Sequence, residues 1–216
     1  FKIVAVTCLA FSYLSLSAQK LQYVLQAPNA RHHEAVITLT ASDLPAAPAL
    51  FRMSRSSPGR YATHEFGKNV YHVKATNNQG SLLPVRKLEA DVYEVSGHQG
   101  TVIFSYTLYA NHADGTYASI DAAGLHLNIP ATFMWVKGLE KEPITLRLDL
   151  PNSDWVVATQ LMPAKEKNTF TARDLQYFMD SPIKAGALRL RTWKIANPDG
   201  LKQEMGIAFD TEASDG

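Results

Sequence analysis

The chain has 216 residues, with 21 Lys and Arg against 20 Asp and Glu and a formal net charge of +1. So even a balance offers no basic face for nucleic acid and no acidic tail of the kind that stays disordered. A hydrophobic fraction of 46% without low-complexity tracts describes a globular chain, one that can bury about 70% of its extended surface.

The first eighteen residues, FKIVAVTCLAFSYLSLSA, place one Lys ahead of an apolar run and close on the small residues Ser15, Ser17 and Ala18. The run is short for a membrane crossing, so residues 1–18 read as a secretory signal peptide cut after Ala18, in preference to a buried strand or an anchor helix. The expectation is an exported protein, periplasmic or extracellular, with no membrane span after cleavage. Cys8, the single cysteine, falls inside that segment, and "AVTC" lacks the large apolar residue of a lipobox. The mature chain is then cysteine-free and depends on its core instead of disulfides.

From Lys20 onward apolar residues recur every second position between turn residues, the signature of strands with one packed and one wet face. In KLQYVLQA, Leu21, Tyr23 and Leu25 share a face; in HHEAVITLT, Ala35, Ile37 and Leu39 do so. The next stretch, THEFGKNVYH, imitates the zinc motif H-E-x-x-H, in which two His one helical turn apart hold the ion and the Glu acts as base. Lys68 stands where the second His belongs, and an ammonium has no lone pair to offer. His72 could substitute only on a continuous helix, which Pro58, Gly59, Gly67 and the strand-like NVYHVKAT argue against. GTVIFSYTLYA then sets Val102, Phe104, Tyr106 and Leu108 on one side, and EPITLRLDLP repeats the pattern with Ile144, Leu146, Leu148 and Leu150.

FTARDLQYFMD breaks the period: Thr171 as cap, a Phe170 to Leu175 staple and burial of Leu175, Phe178 and Met179 predict a short helix over 172–180, stopped by Pro182. Strands return with ALRLRTWKIA and EMGIAFDTE. The expected fold is all-β, an antiparallel β-sandwich with that single helix. It occupies 19–210 as one domain, with 211–216 as the start of a following segment of a longer protein.

Catalytic residues do not emerge from the pattern. His32 and His33, adjacent on an expected strand, would face opposite sides, and His98, His112 and His126 are scattered over turns and strands. No G-x-S-x-G, P-loop or C-x-x-C is present, and no two carboxylates are set up as a pair. Trp135, Trp155 and Trp193 could form a sugar-stacking platform, but each lies in an apolar strand segment, where core packing is the ordinary outcome.

SPGRYATHEFGKNVY resembles the P-G-x-Y-x-x-x-E-F-x-x-N segment in the N-terminal domain of the glycyl aminopeptidase family, family sixty-one of the zinc metallopeptidases. PVRKLEADVYEVSG, TVIFSYTLYAN, GLHLNIPATFMWVKG, EPITLRLDLP, WVVATQL and FTARDLQYFMDSPIKAG are similar to its later elements in the same order, from about Leu21 to Asp210. The resemblance implies a non-catalytic N-terminal β domain that packs on a thermolysin-like catalytic domain and shapes the cleft for a peptide substrate, with a PDZ domain usually beyond. Zinc is expected in the catalytic domain, and no metal ligand or catalytic residue is carried onto this chain. His64 stands where many relatives have Arg, and Pro130 where they often have a small residue. Within LHLNIPATFM, Asn128, Ala131 and Thr132 are the substrate-binding candidates, because the family motif is polar and small where a strand would prefer bulk. The alternative for that segment is a tight turn in which Asn128 bonds its own backbone. For the whole chain the alternatives are a free-standing secreted module binding carbohydrate or protein, and a relative whose catalytic domain has lost its ligands.

Overall fold

The computed structural model describes residues 20–57, 59 and 61–210. The segment read as a signal peptide, Cys8 within it, residues 211–216, and Pro58 and Arg60 of the P-G-x-Y motif lie outside the described residues.

The first half of the chain runs through β1 (Leu21–Asn29), β2 (Glu34–Ala41), β3 (Ala49–Arg52), β4 (Val70–Thr76), β5 (Leu82–Leu83), β6 (Val85–Glu89), β7 (Val92–Val95) and β8 (Val102–Tyr109). After β9 (Ser119–Ile120) and β10 (Gly124–Leu127), the one-turn helix α1 (Ile129–Thr132) leads into β11 (Trp135–Val136) and β12 (Ile144–Asp149). The remainder comprises β13 (Val156–Thr159), β14 (Met162–Pro163), β15 (Thr169–Ala172), helix α2 (Leu175–Met179), β16 (Ile183–Gly186), β17 (Arg189–Ala196) and β18 (Lys202–Phe209).

Eight strands form one sheet in the order β14-β15-β12-β1-β2-β8-β4-β5, antiparallel throughout except for the parallel pair β1 and β12. Its register aligns the apolar positions into rows, with Tyr23 opposite Leu39 and Leu39 opposite Phe104, and with Leu25 opposite both Ile37 and Leu148. A one-residue slip in any strand would turn that row to water, so the register is strongly specified. Two four-stranded sheets, β11-β3-β7-β6 and β13-β16-β10-β9, complete the layers. Phe51 of β3 stacks on Phe104 of β8 with centroids 4.2 Å apart and planes at 7°. Leu125, Leu127, Ile183 and Ala185 of the other small sheet join the same buried cluster. An all-β sandwich results, as the alternation predicts, and each large side chain fully buried in it contributes about 1.5–3 kcal/mol.

Several local expectations need correction. The helix predicted for 172–180 is the shorter α2, and Thr171 does not cap it. Residues 169–172 stay in β15, where Thr171 pairs with Thr145 of β12, so the ladder claims the backbone that the cap and staple would have used. Asp174 is the cap, extended at φ −161° and ψ 172°, its carboxylate accepting the Tyr177 N–H at 2.8 Å. Nor do His32 and His33 lie on a strand. Residues 30–32 form a 3-10 turn and His33 adopts φ 61°, the left-handed residue needed to bring β2 back beside β1. Helix α1 replaces what the sequence suggests to be a strand or tight turn.

Within the HEFGK stretch the chain makes a 3-10 turn over Phe66–Asn69 and not the continuous α-helix that its glycine and following strand argue against. A Cβ on Gly67 would lie 2.6 Å from the Ala90 carbonyl oxygen and 3.1 Å from the Asp91 Cα. Gly67→Ala is therefore expected to destabilise the domain by about 1–3 kcal/mol through backbone displacement. Urea denaturation checks this, and an unchanged midpoint would show that the turn yields freely.

Candidate functional site

Strand β10 ends because Pro130 cannot donate to a ladder and its fixed φ suits the first turn of a helix. Asn128 remains extended at φ −82° and ψ 116°, and α1 makes a single turn after it. The Ala131 N–H donates to the Asn128 carbonyl at 3.0 Å, and the Phe133 N–H to that of Ile129 at 2.9 Å. Thr132 Oγ1 also donates to the Asn128 carbonyl, at 2.8 Å. Asn128, Ala131 and Thr132 are thus brought into one turn, and all three are buried, at 8%, 4% and 0% exposed. Asn128 lines a pocket of about 270 Å³ together with Ser57, His126, Met179 and Asp180.

The Asn128 side chain does not bond its own backbone. Its amide donates to Ser57 Oγ at 3.0 Å and to the carbonyl of Thr116. Both N–H groups are spent on these partners, which leaves Oδ1 as the unused acceptor beside the pocket, without a partner among the described residues. The turn is anchored from below by two tyrosines of the large sheet. Tyr106 OH donates to the Thr132 carbonyl at 2.7 Å and accepts the Met134 N–H at 2.9 Å. Tyr23 OH donates to the Met134 carbonyl at 2.8 Å. Burial pushes both phenols well above their usual range, with the neighbouring Tyr106 adding to the effect on Tyr23, so both remain neutral donors at physiological pH.

Thr116 is presented by the HADG turn. Asp114 Oδ1 accepts the N–H groups of Thr116 and Tyr117, each at 2.7 Å, and Oδ2 lies 3.2 Å from His112 Nε2. The Asp114 carbonyl accepts from His126 Nε2 at 2.7 Å. Partial burial works to raise the Asp114 carboxyl, but the Tyr117 and Thr116 N–H groups, followed by His112, hold it below the usual carboxylate range. A depressed carboxyl contributes stability that is present above the unfolded pKa and lost as pH falls through the folded one. Protection factors at Thr116 and Tyr117, corrected for the intrinsic exchange rate at each pH, are therefore expected to fall on acidification in step with the Asp114 carboxyl resonance. Protection that stays constant through that titration would remove Asp114 as the support of the turn.

Other candidates are placed elsewhere. The His64 ring stacks on Phe66, with centroids 5.1 Å apart and planes at 15°, and meets the edge of Tyr117 at 5.7 Å. Its buried Nε2 has no hydrogen-bond partner among the described residues. Trp155 is core and Trp135 is half-buried under Arg52, but Trp193 is 47% exposed, so the expectation of core packing fails for it. Among the described residues no three His, Cys, Asp or Glu side chains are grouped to hold a metal ion. Ser57, Thr116 and Tyr106, which hold the turn, were not foreseen. They lie 71, 12 and 26 positions from their partners in it, and nothing local in the sequence joins them.

Residues 22–187 match the family model described as the Peptidase M61 N-terminal domain. No curated protein matches the sequence. Among solved structures, the chain is similar to an aminopeptidase N family protein from Idiomarina loihiensis, with 21% identity, a TM-score of 0.77, and coverage of 88% of this chain and 32% of that one. It also resembles mutants of an M1 zinc metallopeptidase from Deinococcus radiodurans. One, bound to a Tyr-Ser-Ala substrate, gives 13% identity, a TM-score of 0.50, and coverage of 86% of this chain and 46% of that one. Another gives 12% identity, a TM-score of 0.51, and coverage of 88% and 46%. At these identities the likeness is one of fold. The chain spans about a third of the first protein's length and under half of the second's.

Proposed function

Since this chain belongs to the family of peptidase M61 N-terminal domains, we propose that it serves as the non-catalytic β domain of an exported zinc aminopeptidase, packing on a catalytic domain and walling one side of its peptide cleft. The observation that carries the proposal is the family match over 22–187. It is supported by the small share that the chain covers of the aminopeptidase N family protein and of the M1 zinc metallopeptidase. Zinc, the thermolysin-like catalytic domain and a PDZ domain would belong to the remainder of the longer protein, which would be periplasmic or extracellular. In this reading Asn128 is the residue that meets substrate, its Oδ1 accepting a donor of the peptide. Ala131 and Thr132 hold Asn128 in place from inside the turn.

The test compares this chain with the full-length gene product. Zinc and release of N-terminal glycine are expected in the longer protein and not in the chain alone, and one zinc ion per molecule of the chain would overturn the proposal. In the longer protein, Asn128→Ala is expected to raise KM about 3- to 10-fold, the loss of one hydrogen bond, with zinc content unchanged. An unchanged KM would remove Asn128 from the cleft.

A further inference from the structure

The ribbon β17–β18 pairs over its full length, from Arg189 opposite Phe209 to Ala196 opposite Lys202. It is closed by the NPDG turn, where Gly200 adopts φ +81° and the Asn197 N–H donates to the Leu201 carbonyl at 2.8 Å. It joins none of the three sheets of the sandwich. An ion pair between Lys184 and Asp210 at 2.7 Å ties its end to β16, and every residue of both strands is exposed.

Its two faces differ in chemistry. On one, Trp193 lies opposite Met205, Ile195 opposite Gln203, and Ile207 and Phe209 opposite Arg191 and Arg189. The other carries Thr192, Lys194, Lys202 and Glu204 around Gly206, with Leu190 as its single large apolar side chain and Ala196 and Ala208 at its ends. On the first face Trp193, Ile207 and Phe209 are 47%, 46% and 40% exposed. A two-stranded ribbon is marginal by itself and needs a third strand, or an element across its apolar face, to be stable. Among the described residues no strand of the sandwich pairs with either edge of the ribbon.

We propose that this ribbon is the first piece of the following domain and not the last hairpin of the sandwich, its Trp193 face being the seat of an apolar surface of the catalytic domain in the same polypeptide. The inference rests on the reading above insofar as it requires such a domain. Two observations select this occupant. The family match stops at residue 187, just before β17 begins. The solved relative with the highest quoted TM-score has about two thirds of its length outside the part this chain covers. A covalently joined partner also meets the ribbon at millimolar effective concentration, so the face is covered without a separate encounter.

Hydrogen exchange on this chain and on the full-length gene product tests the proposal. Amides of 189–209 are expected to exchange rapidly in the chain alone and about 100-fold more slowly in the longer protein. A zinc-bearing, active longer protein whose ribbon exchanges as fast as in the chain alone would overturn the inference and leave the peptidase reading intact. Protection that appears in the chain alone and grows with its concentration would assign the face to a second copy and also overturn it. A longer protein that protects the ribbon but holds no zinc would support the inference while removing the peptidase reading. A gene product with no following domain would end both.

Discussion

Phe104→Ala is expected to lower the unfolding free energy by about 3–5 kcal/mol, measured by guanidinium denaturation. Phe104 is fully buried on β8 and meets three rings: Phe51 at 4.2 Å, Tyr93 at 6.0 Å and Tyr106 at 6.2 Å. Phe51 and Tyr93 belong to the facing sheet, so the truncation opens a cavity at the contact between layers. Rigid ladders on either side limit collapse into it, which places the loss toward the upper end of the range. A loss near 1 kcal/mol would mean that the two sheets close over the gap and that the stack is not a principal joint.

Tyr106→Phe removes one oxygen and is expected to destabilise by about 2–4 kcal/mol. The hydroxyl is at once donor to the Thr132 carbonyl and acceptor from the Met134 N–H. Its removal strands two backbone groups in a site from which water is excluded, and the cost of an unmet buried group exceeds the net worth of the bond. Tyr23→Phe is the internal control. Its hydroxyl serves the Met134 carbonyl, so the loss there should be about 1–2 kcal/mol. Equal losses in the two variants would show that Met134 finds another acceptor and that the turn does not hang on Tyr106. Under the proposed reading, in which Asn128 meets substrate, Tyr106→Phe should also raise KM in the longer protein, because the Asn128 turn is seated on that hydroxyl.

The parts of the fold legible from sequence are those set by a two-residue period. Leu21, Tyr23 and Leu25, Ala35, Ile37 and Leu39, and the Val102 to Leu108 series all point inward as the alternation requires. What was not legible depends on competition between local and distant partners. Thr171 has every property of a helix cap, yet β12 claims its backbone, and only the pairing of Thr171 with Thr145 decides the matter. Asn128 could be placed at a turn from Pro130 and its own polarity. Its true partners, Ser57 and Thr116, come from loops that the chain fold alone brings together. Trp193 shows the opposite failure. Its alternation is that of a buried strand, but the ribbon that carries it pairs with none of the three sheets and the side chain is exposed.

The parallel pairing of β1 with β12 carries a consequence for how the domain comes into being. The first strand enters the middle of the large sheet only when residues 144–149 arrive to flank it. The nearby Lys20–Glu142 ion pair spans 122 positions. Closing a loop of that length costs about 4 kcal/mol of chain entropy before any contact compensates. β1 can pair with β2 at once through the turn at residues 30–33, but its other edge stays open until residues 144–149 are made, so the large sheet is completed late. In the exported protein proposed above, that delay would keep the large sheet open during passage through a translocation channel.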